Sequence, residues 1–358
     1  MNHVERFKAV VDGKPVDRLP MVEWAVWWDE TMTRWRGEGL PEFDNTLHPA
    51  GVSGVARYCP ERYSLCNHFG LDPYFQYWFD SRGPGCPHPD SHGGSIISNE
   101  ADYERIKPYL YPPIEQALED LRPWAERQRN GESLCWISIE GFFWFPRTLF
   151  GIQDHMMAFY DEPELMKRIN QDNADYIISI LKVLKAADCL PVFATFAEDM
   201  SYNNGPMLSE DHYDEFMAPY YRQVIPLMEE LEIVPIVDTD GDITKLIPWL
   251  QKVGLRGALP LEYQAGVDAN TLREAHPEFV ILGNYNKLVM DQGEEAMRAE
   301  FERLLPVMRS GRFIPSCDHQ TPPAVSLEQY GIYMRLMKEY CRRAGRIRRH
   351  LSDQNPLW

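Results

Sequence analysis

The chain has 358 residues, 54 acidic against 36 basic side chains, a net charge of −18 and 44% hydrophobic residues. Such a composition suits a globular protein with one sizeable core. It excludes an electrostatic nucleic-acid binder, because no Lys/Arg stripe with interleaved aromatics occurs, and seven irregularly spaced cysteines exclude a disulfide framework.

Taken in chain order, residues 1–12 predict a short amphipathic helix with Phe7, Val10 and Val11 on one side. The opening MNHVERFKAV carries no apolar leader and no stretch approaches membrane-spanning length, so a reduced, cytoplasmic protein is expected. Leu19 to Glu23 predicts a first strand. Residues 24–60, rich in Trp, Gly and Pro, predict an elaborated loop. Residues 71–100 hold two strand-like runs around a Gly/Pro turn region and predict an inserted hairpin.

From 134 onward, short apolar runs alternate with helical patterns. The runs end at Glu140; at Glu198 and Asp199; at Asp238, Asp240 and Asp242; near Glu262; at Asn284, Asn286 and Lys287; and at Cys317, Asp318 and His319. Helices are expected over 163–187, 209–231, 243–253 and 293–310, and a last one opens with the capping box Ser326 to Gln329. The basic run 342–350 is read as a solvated end after that helix. Runs of four to six apolar residues suit parallel strands buried on both faces. Polar residues gathered at their carboxyl ends mark the catalytic rim of a βα barrel. The expected fold is therefore α/β: a single (β/α)8 TIM-type barrel domain over 1–358, with N-terminal elaborations and the hairpin insertion.

Four constellations could carry chemistry. Asp238 and Asp240 share a side of an extended segment, and with Cys317 from the last strand they could hold a divalent metal, most simply Zn²⁺. Glu198 and His319 could complete that shell, although Asp240-Gly241-Asp242 could equally serve only as a turn and cap. In the pair Glu198-Asp199, Glu198 is the expected general acid and Asp199 the loop-ordering residue. Cys86, His88 and His92 lie close in sequence, but the surrounding Gly and Pro favour a surface turn. Trp24, Trp27, Trp28 and Phe142 to Phe145 could wall an apolar pocket, or pack as core or a homodimer interface. No dinucleotide, P-loop, serine-hydrolase or HExxH motif occurs.

Several of these segments resemble a known family. ERFKAVVDGKPVDRLPMVEW (5–24), LFGIQDHMMAFYDEPELMKRI (149–169), AEDMSYNNGPMLS (197–209), VDTDGDITKLIPW (237–249), LPLEYQAGVDANTLREAHP (259–277) and GRFIPSCDHQTPPAVSLEQY (311–330) are similar, in this order, to uroporphyrinogen decarboxylase-like proteins. The resemblance covers nearly the whole chain and implies a (β/α)8 barrel. True decarboxylases of the family carry an arginine-rich N-terminal segment for a polycarboxylate substrate. Here that segment is VEWAVWWDETMTRW, aromatic and acidic, which would repel a polyanion. The corrinoid-linked methyltransferase branch binds zinc through a His-x-Cys pair and a distant Cys. Asp238-Thr239-Asp240 and Cys317 stand at those positions here.

The resemblance thus implies a methyltransferase moving methyl between a small methylated substrate or thiol and a separate corrinoid protein. Metal ligands would be Asp238, Asp240 and Cys317 around Zn²⁺. Catalytic residues would be Glu198, Asp240 and His319, and substrate contacts Trp24, Trp28, Phe143 and Asn284. The alternatives are a cofactor-free decarboxylase or lyase on another carboxylic acid, and a non-catalytic binding barrel.

Overall fold

The computed structural model describes residues 1–25, 27–43, 62–91 and 93–352, with residue 62 and the helix end from 346 described as backbone alone. Seven parallel strands form one curled sheet: β1 (Tyr74–Phe79), β2 (Leu134–Glu140), β3 (Phe193–Ala197), β4 (Val234–Thr239), β5 (Gly257–Pro260), β6 (Val280–Tyr285) and β7 (Phe313–Cys317), paired in that order. Every residue of β2, β3, β5, β6 and β7 is buried. That explains their continuous apolar character: barrel interior lies on one face and helices on the other.

The expected first strand forms no ladder. Residues 19–24 nevertheless stand where an eighth stave belongs, between β1 and β7. The Asp72 amide donates to the Met21 carbonyl (2.8 Å), the Trp24 amide to Ser316 Oγ (3.2 Å) and the Cys317 amide to a Glu23 carboxylate oxygen (3.3 Å). Pro20 has no N–H to give a ladder, so side chains make most of the joints. The architecture is a TIM-type barrel, as expected.

The hairpin over 71–100 does not form. Its first run is β1, which pairs in parallel with β2, Tyr74 opposite Leu134. The second run lies outside any ladder, and the Ile96 and Ile97 amides donate to the Leu149 carbonyl. The Gly/Pro-rich stretch between them cannot sustain strand pairing.

Helices fall close to their expected places. The helix Pro163–Ala186 starts on its proline. The helix expected over 209–231 is two, Glu210–Phe216 and Ala218–Glu230, because Pro219 cannot donate the amide that would carry the first into the second. The final helix, Leu327–Ser352, has both capping-box bonds, Gln329 amide to Ser326 Oγ (3.1 Å) and Ser326 amide to Gln329 Oε1 (2.8 Å). The basic run 342–350 lies within this helix rather than after it. Among the described residues, no helix is long and apolar enough to cross a membrane. The loop expected over 24–60 is not all loop: its described part holds a helix, Asp29–Gly37, anchored by the buried Met32 and Trp35, while residues 26 and 44–60 lie outside the described residues.

Candidate active site

The barrel interior is built level by level from alternate strand residues. The register sets Ala197, Asp238 and Leu259 side by side on β3, β4 and β5. One level below, Gln76 Nε2 donates to Ser138 Oγ (2.7 Å), which shares a bond with Thr195 Oγ1 (2.9 Å), and Trp136 Nε1 donates to the same threonine oxygen (2.9 Å). Above this polar belt lies a cavity of about 180 Å³, lined by Trp24, Gln76, Trp78, Trp136, Asp238, Asp240, Leu259, Pro260 and His319 among others. It opens at the carboxyl ends of the strands, where barrel chemistry sits.

Asp240 reaches this mouth because β4 ends in a tight turn. Gly241 has φ +80°, and a Cβ there would lie 2.6 Å from the Tyr202 backbone, so a side chain is excluded on two counts. The turn is fixed by the Asp242 amide on the Tyr202 carbonyl (3.0 Å), Ser201 Oγ on the Asp240 carbonyl (2.5 Å) and the Gly241 amide on Glu262 Oε2 (3.1 Å). The last bond draws Glu262, from beyond β5, to Asp240. His319, two residues past β7, brings Nε2 to 3.7 Å from Asp240 Oδ2. One ligand atom each from Asp240, Glu262 and His319 lies within 4.8 Å of the others, and this is the one such group of three or more among the described residues.

The electrostatics are acidic. Burial, with repulsion from Asp199 and Glu262 and a counter-pull from Lys287, raises Asp240 to about 7. Burial together with Asp199 and Asp240 pushes Asp238 well above the usual carboxylate range, and no hydrogen-bond donor meets its carboxyl among the described residues. Burial raises Asp318 to about 6, although its oxygens accept the Tyr263 and Lys287 amides (3.0 and 3.1 Å) and so tie two rim loops together. Burial, with repulsion from Lys287, lowers His319, which keeps its imidazole neutral and able to bind a metal. Among the described residues, the nearby cations are Lys287, 3.7 Å from Glu262, and Arg147, whose guanidinium donates to the Asp199 carbonyl (3.1 Å).

The other residues singled out in the sequence lie elsewhere. Glu198 is fully buried behind β3, where its carboxylate accepts the amides of Phe142 (2.8 Å), Phe143 (2.7 Å) and Trp144 (3.1 Å) and the Tyr221 hydroxyl. It caps the helix Trp144–Phe150, while its neighbour Asp199 acts electrostatically on Asp238 and Asp240. Cys317 is buried under the rim with its sulfur 3.8 Å from Met290 Sδ, and it does not join the converging ligands. Phe143 packs edge-on to His155 in the outer layer, with ring centroids 4.7 Å apart. Asn284 spends its amide on the carbonyls of Leu261 and Val267 (2.9 and 2.8 Å). Trp28 is 48% exposed and outside the cavity lining, whereas Trp24 is on it. Cys86 and His88 line a separate groove on the outer side of β1; His92 lies outside the described residues. Sequence reasoning missed the mouth roles of Glu262, Lys287, Trp78 and Trp136. The strand-end position of Glu262 was the available signal.

Three buried carboxyls away from the mouth have a measurable consequence. Burial raises Glu23, Glu140 and Glu198 each to about 7 from an ordinary value of 4.5. The folded state holds these protons more tightly than the unfolded chain. Their stabilisation is therefore fully present below pH 4.5 and is lost as pH rises through about 7. Glu140→Gln, which keeps an oxygen for the Ser81 amide (2.8 Å), is expected to flatten this slope by on the order of 3 kcal/mol. Denaturant midpoints of both proteins from pH 5 to 8 check it. Parallel curves would remove Glu140 from the set.

The sequence profile of the uroporphyrinogen decarboxylase (URO-D) family matches residues 147–340. Among solved structures, a methyltransferase from Methanosarcina mazei is similar with a TM-score of 0.63 at 15% identity, covering 95% of this chain and 99% of that one. A vitamin-B12 independent methionine synthase from Listeria monocytogenes is similar with a TM-score of 0.44 at 10% identity, covering 94% and 98%. No curated protein matches the chain.

Proposed function

We propose that this chain, which belongs to the uroporphyrinogen decarboxylase (URO-D) family, is a metal-dependent methyltransferase acting on a small methylated molecule. The observation that carries this reading is the convergence of Asp240, Glu262 and His319 beside an indole-lined cavity. Two carboxylate oxygens and one imidazole nitrogen suit a divalent ion of intermediate hardness, with Zn²⁺, Mn²⁺ and Fe²⁺ all compatible. Three protein ligands leave positions open, as a catalytic rather than structural site requires. When bound, such an ion supplies Lewis acidity toward a thiol, hydroxyl or ether oxygen.

The residues around it have separate tasks. Asp240, Glu262 and His319 hold the ion. The Gly241 turn and the Asp318 staple fix them on three different loops. Trp24, Trp78 and Trp136 orient the methyl-bearing group and keep water off it. In the transfer, the bond from the donor heteroatom to the methyl carbon breaks. Its electron pair stays on the heteroatom, and the methyl passes to a nucleophile. A separate corrinoid protein as that nucleophile's carrier is supported by the resemblance to the corrinoid-linked branch. Release of carboxyl groups from a porphyrinogen is disfavoured, since among the described residues Arg147 and Lys287 are the only Lys or Arg side chains found acting on a mouth that gathers five carboxyls.

Elemental mass spectrometry on protein purified without chelators tests the reading. Near-stoichiometric divalent metal is expected in the wild type and in Cys317→Ser, and a loss of most of it in Glu262→Gln. Metal that falls in Cys317→Ser but not in Glu262→Gln would reject this ligand set. A metal-free wild type, after zinc, manganese and iron have each been supplied, would turn the carboxyls into acid–base candidates for a lyase.

A further inference from the structure

We infer that the groove on the outer side of β1 is a second binding site, for a dipeptide-sized zwitterion whose ammonium and carboxylate stand at opposite ends of an apolar body. The inference is independent of the methyltransferase reading, since Asp240, Glu262 and His319 are all absent from the lining of this groove.

The groove is built before any ligand arrives. Its volume is about 580 Å³, within the range of small-molecule sites. Tyr77 and Phe79 of β1 line it with ring centroids 4.8 Å apart. Tyr176 lines it as well, and its hydroxyl donates to the Pro112 carbonyl (3.0 Å). The loop after β1 is pinned by the Gly83 amide on the Tyr109 carbonyl and the Tyr111 amide on the Ser81 carbonyl, both 2.7 Å. Pro84 and Gly85 turn this loop between the Gly83 carbonyl and the Cys86 amide (3.2 Å), with Gly85 at φ +85°, as a turn with glycine in its third place requires. Trp78 belongs to the linings of both the groove and the mouth cavity.

Two opposite charges on this lining are left for a ligand. Asp120, on the helix Glu115–Arg129, and Arg82, in the loop after β1, are both half-buried, and neither side chain has a hydrogen bond or ion pair among the described residues. The Tyr77 hydroxyl has no hydrogen-bond partner there either, whereas Asp80, also on the lining, is already engaged. The two charges stand at different levels of the strand. Asp120 acts on the Tyr77 hydroxyl, while Arg82 acts on Glu140 and Cys86 and not on Asp120. Phe79 lies opposite Ile139, so Glu140 is beyond Phe79, and Tyr77 is two residues below it. Two residues of strand span about 7 Å, which is also about the reach of an extended dipeptide.

The ligand class follows from pairing both ends. An anion leaves Asp120 without a partner, a cation leaves Arg82 without one, and a half-buried charge gains from a partner that replaces lost water. A free α-amino acid carries both charges on one carbon and reaches only one end. The rings of Tyr77, Phe79 and Tyr176 bury the apolar body between the ends. The Tyr77 hydroxyl and the Gln116 amide, both on the lining, are placed to meet a central amide.

Calorimetric titration of the full-length protein with leucyl-phenylalanine, its N-acetyl form, its C-terminal amide and free phenylalanine tests this directly, because each comparison ligand lacks one charge or the spacing. Leucyl-phenylalanine is expected to bind at least about fivefold more tightly than any of the other three. Arg82→Gln should abolish the preference over the amide and keep the preference over the N-acetyl form. Asp120→Asn should do the reverse, and the metal content of both variants should equal that of the wild type. Equal affinities of the four ligands, no binding of leucyl-phenylalanine at millimolar concentration, or a preference that survives the loss of its own charge partner would overturn the inference.

Discussion

His319→Ala is expected to strip the divalent metal from the purified protein and to lower methyl exchange by about 10³-fold or more, with the fold intact. The magnitude follows from removing Lewis-acid stabilisation worth several kcal/mol, since each 1.36 kcal/mol of barrier is about tenfold in rate. Folding should survive because the His319 side chain is 32% exposed and is joined to the protein chiefly through Asp240, at 3.7 Å. Asp240→Asn should lose metal as well, for it removes a charged ligand and the group both others approach. Glu262→Gln should be milder than Asp240→Asn in its effect on loop geometry, because its amide oxygen can still accept the Gly241 amide. Metal content, circular dichroism and exchange rate measured on one preparation separate the possibilities. Full exchange activity in metal-free His319→Ala would reject metal dependence.

The second large effect concerns a carboxylate outside the mouth. Glu198→Ala is expected to cost about 3–5 kcal/mol of stability, because it leaves two buried amides, one half-buried amide and the buried Tyr221 hydroxyl without their acceptor. Gly141→Ala attacks the same joint from the other side. A Cβ there would sit 2.2 Å from the Glu198 carboxylate, so the cap must break or the chain must shift. Asp199→Asn, one residue along, should leave stability nearly unchanged. It removes a charge that repels Asp238 and Asp240, and its signature should be a changed metal affinity. Thermal unfolding of the three variants decides the matter. A Glu198→Ala protein as stable as wild type, but inactive, would return Glu198 to a chemical role.

The contrast between these neighbours shows where reading the sequence stops. Glu198 and Asp199 both follow an apolar run, and nothing in AED says which carboxyl turns inward. The fold decides it through the Gly141 gap, which admits one carboxylate beneath the helix Trp144–Phe150, and through the backbone of Asp199, whose φ of +42° turns the chain toward the mouth.

Periodicity and strand-end chemistry determined much by themselves. Apolar runs bounded by polar residues gave the barrel, its direction and the rim on which Asp238, Asp240 and His319 stand, because burial on both faces demands such runs and loops at carboxyl ends collect function. Spacing along the chain could not bring Glu262 to Asp240, 22 residues apart, nor His319 to both. A parallel barrel puts consecutive strand ends side by side only after its helices pack. Equally, the position of Cys317 at the last strand end said nothing of its facing: the thiol lies against Met290, because successive side chains of a strand alternate between interior and helix layer. Which strand ends converge, and which side chain at each end looks inward, are settled by barrel closure and register, and these belong to the tertiary structure alone.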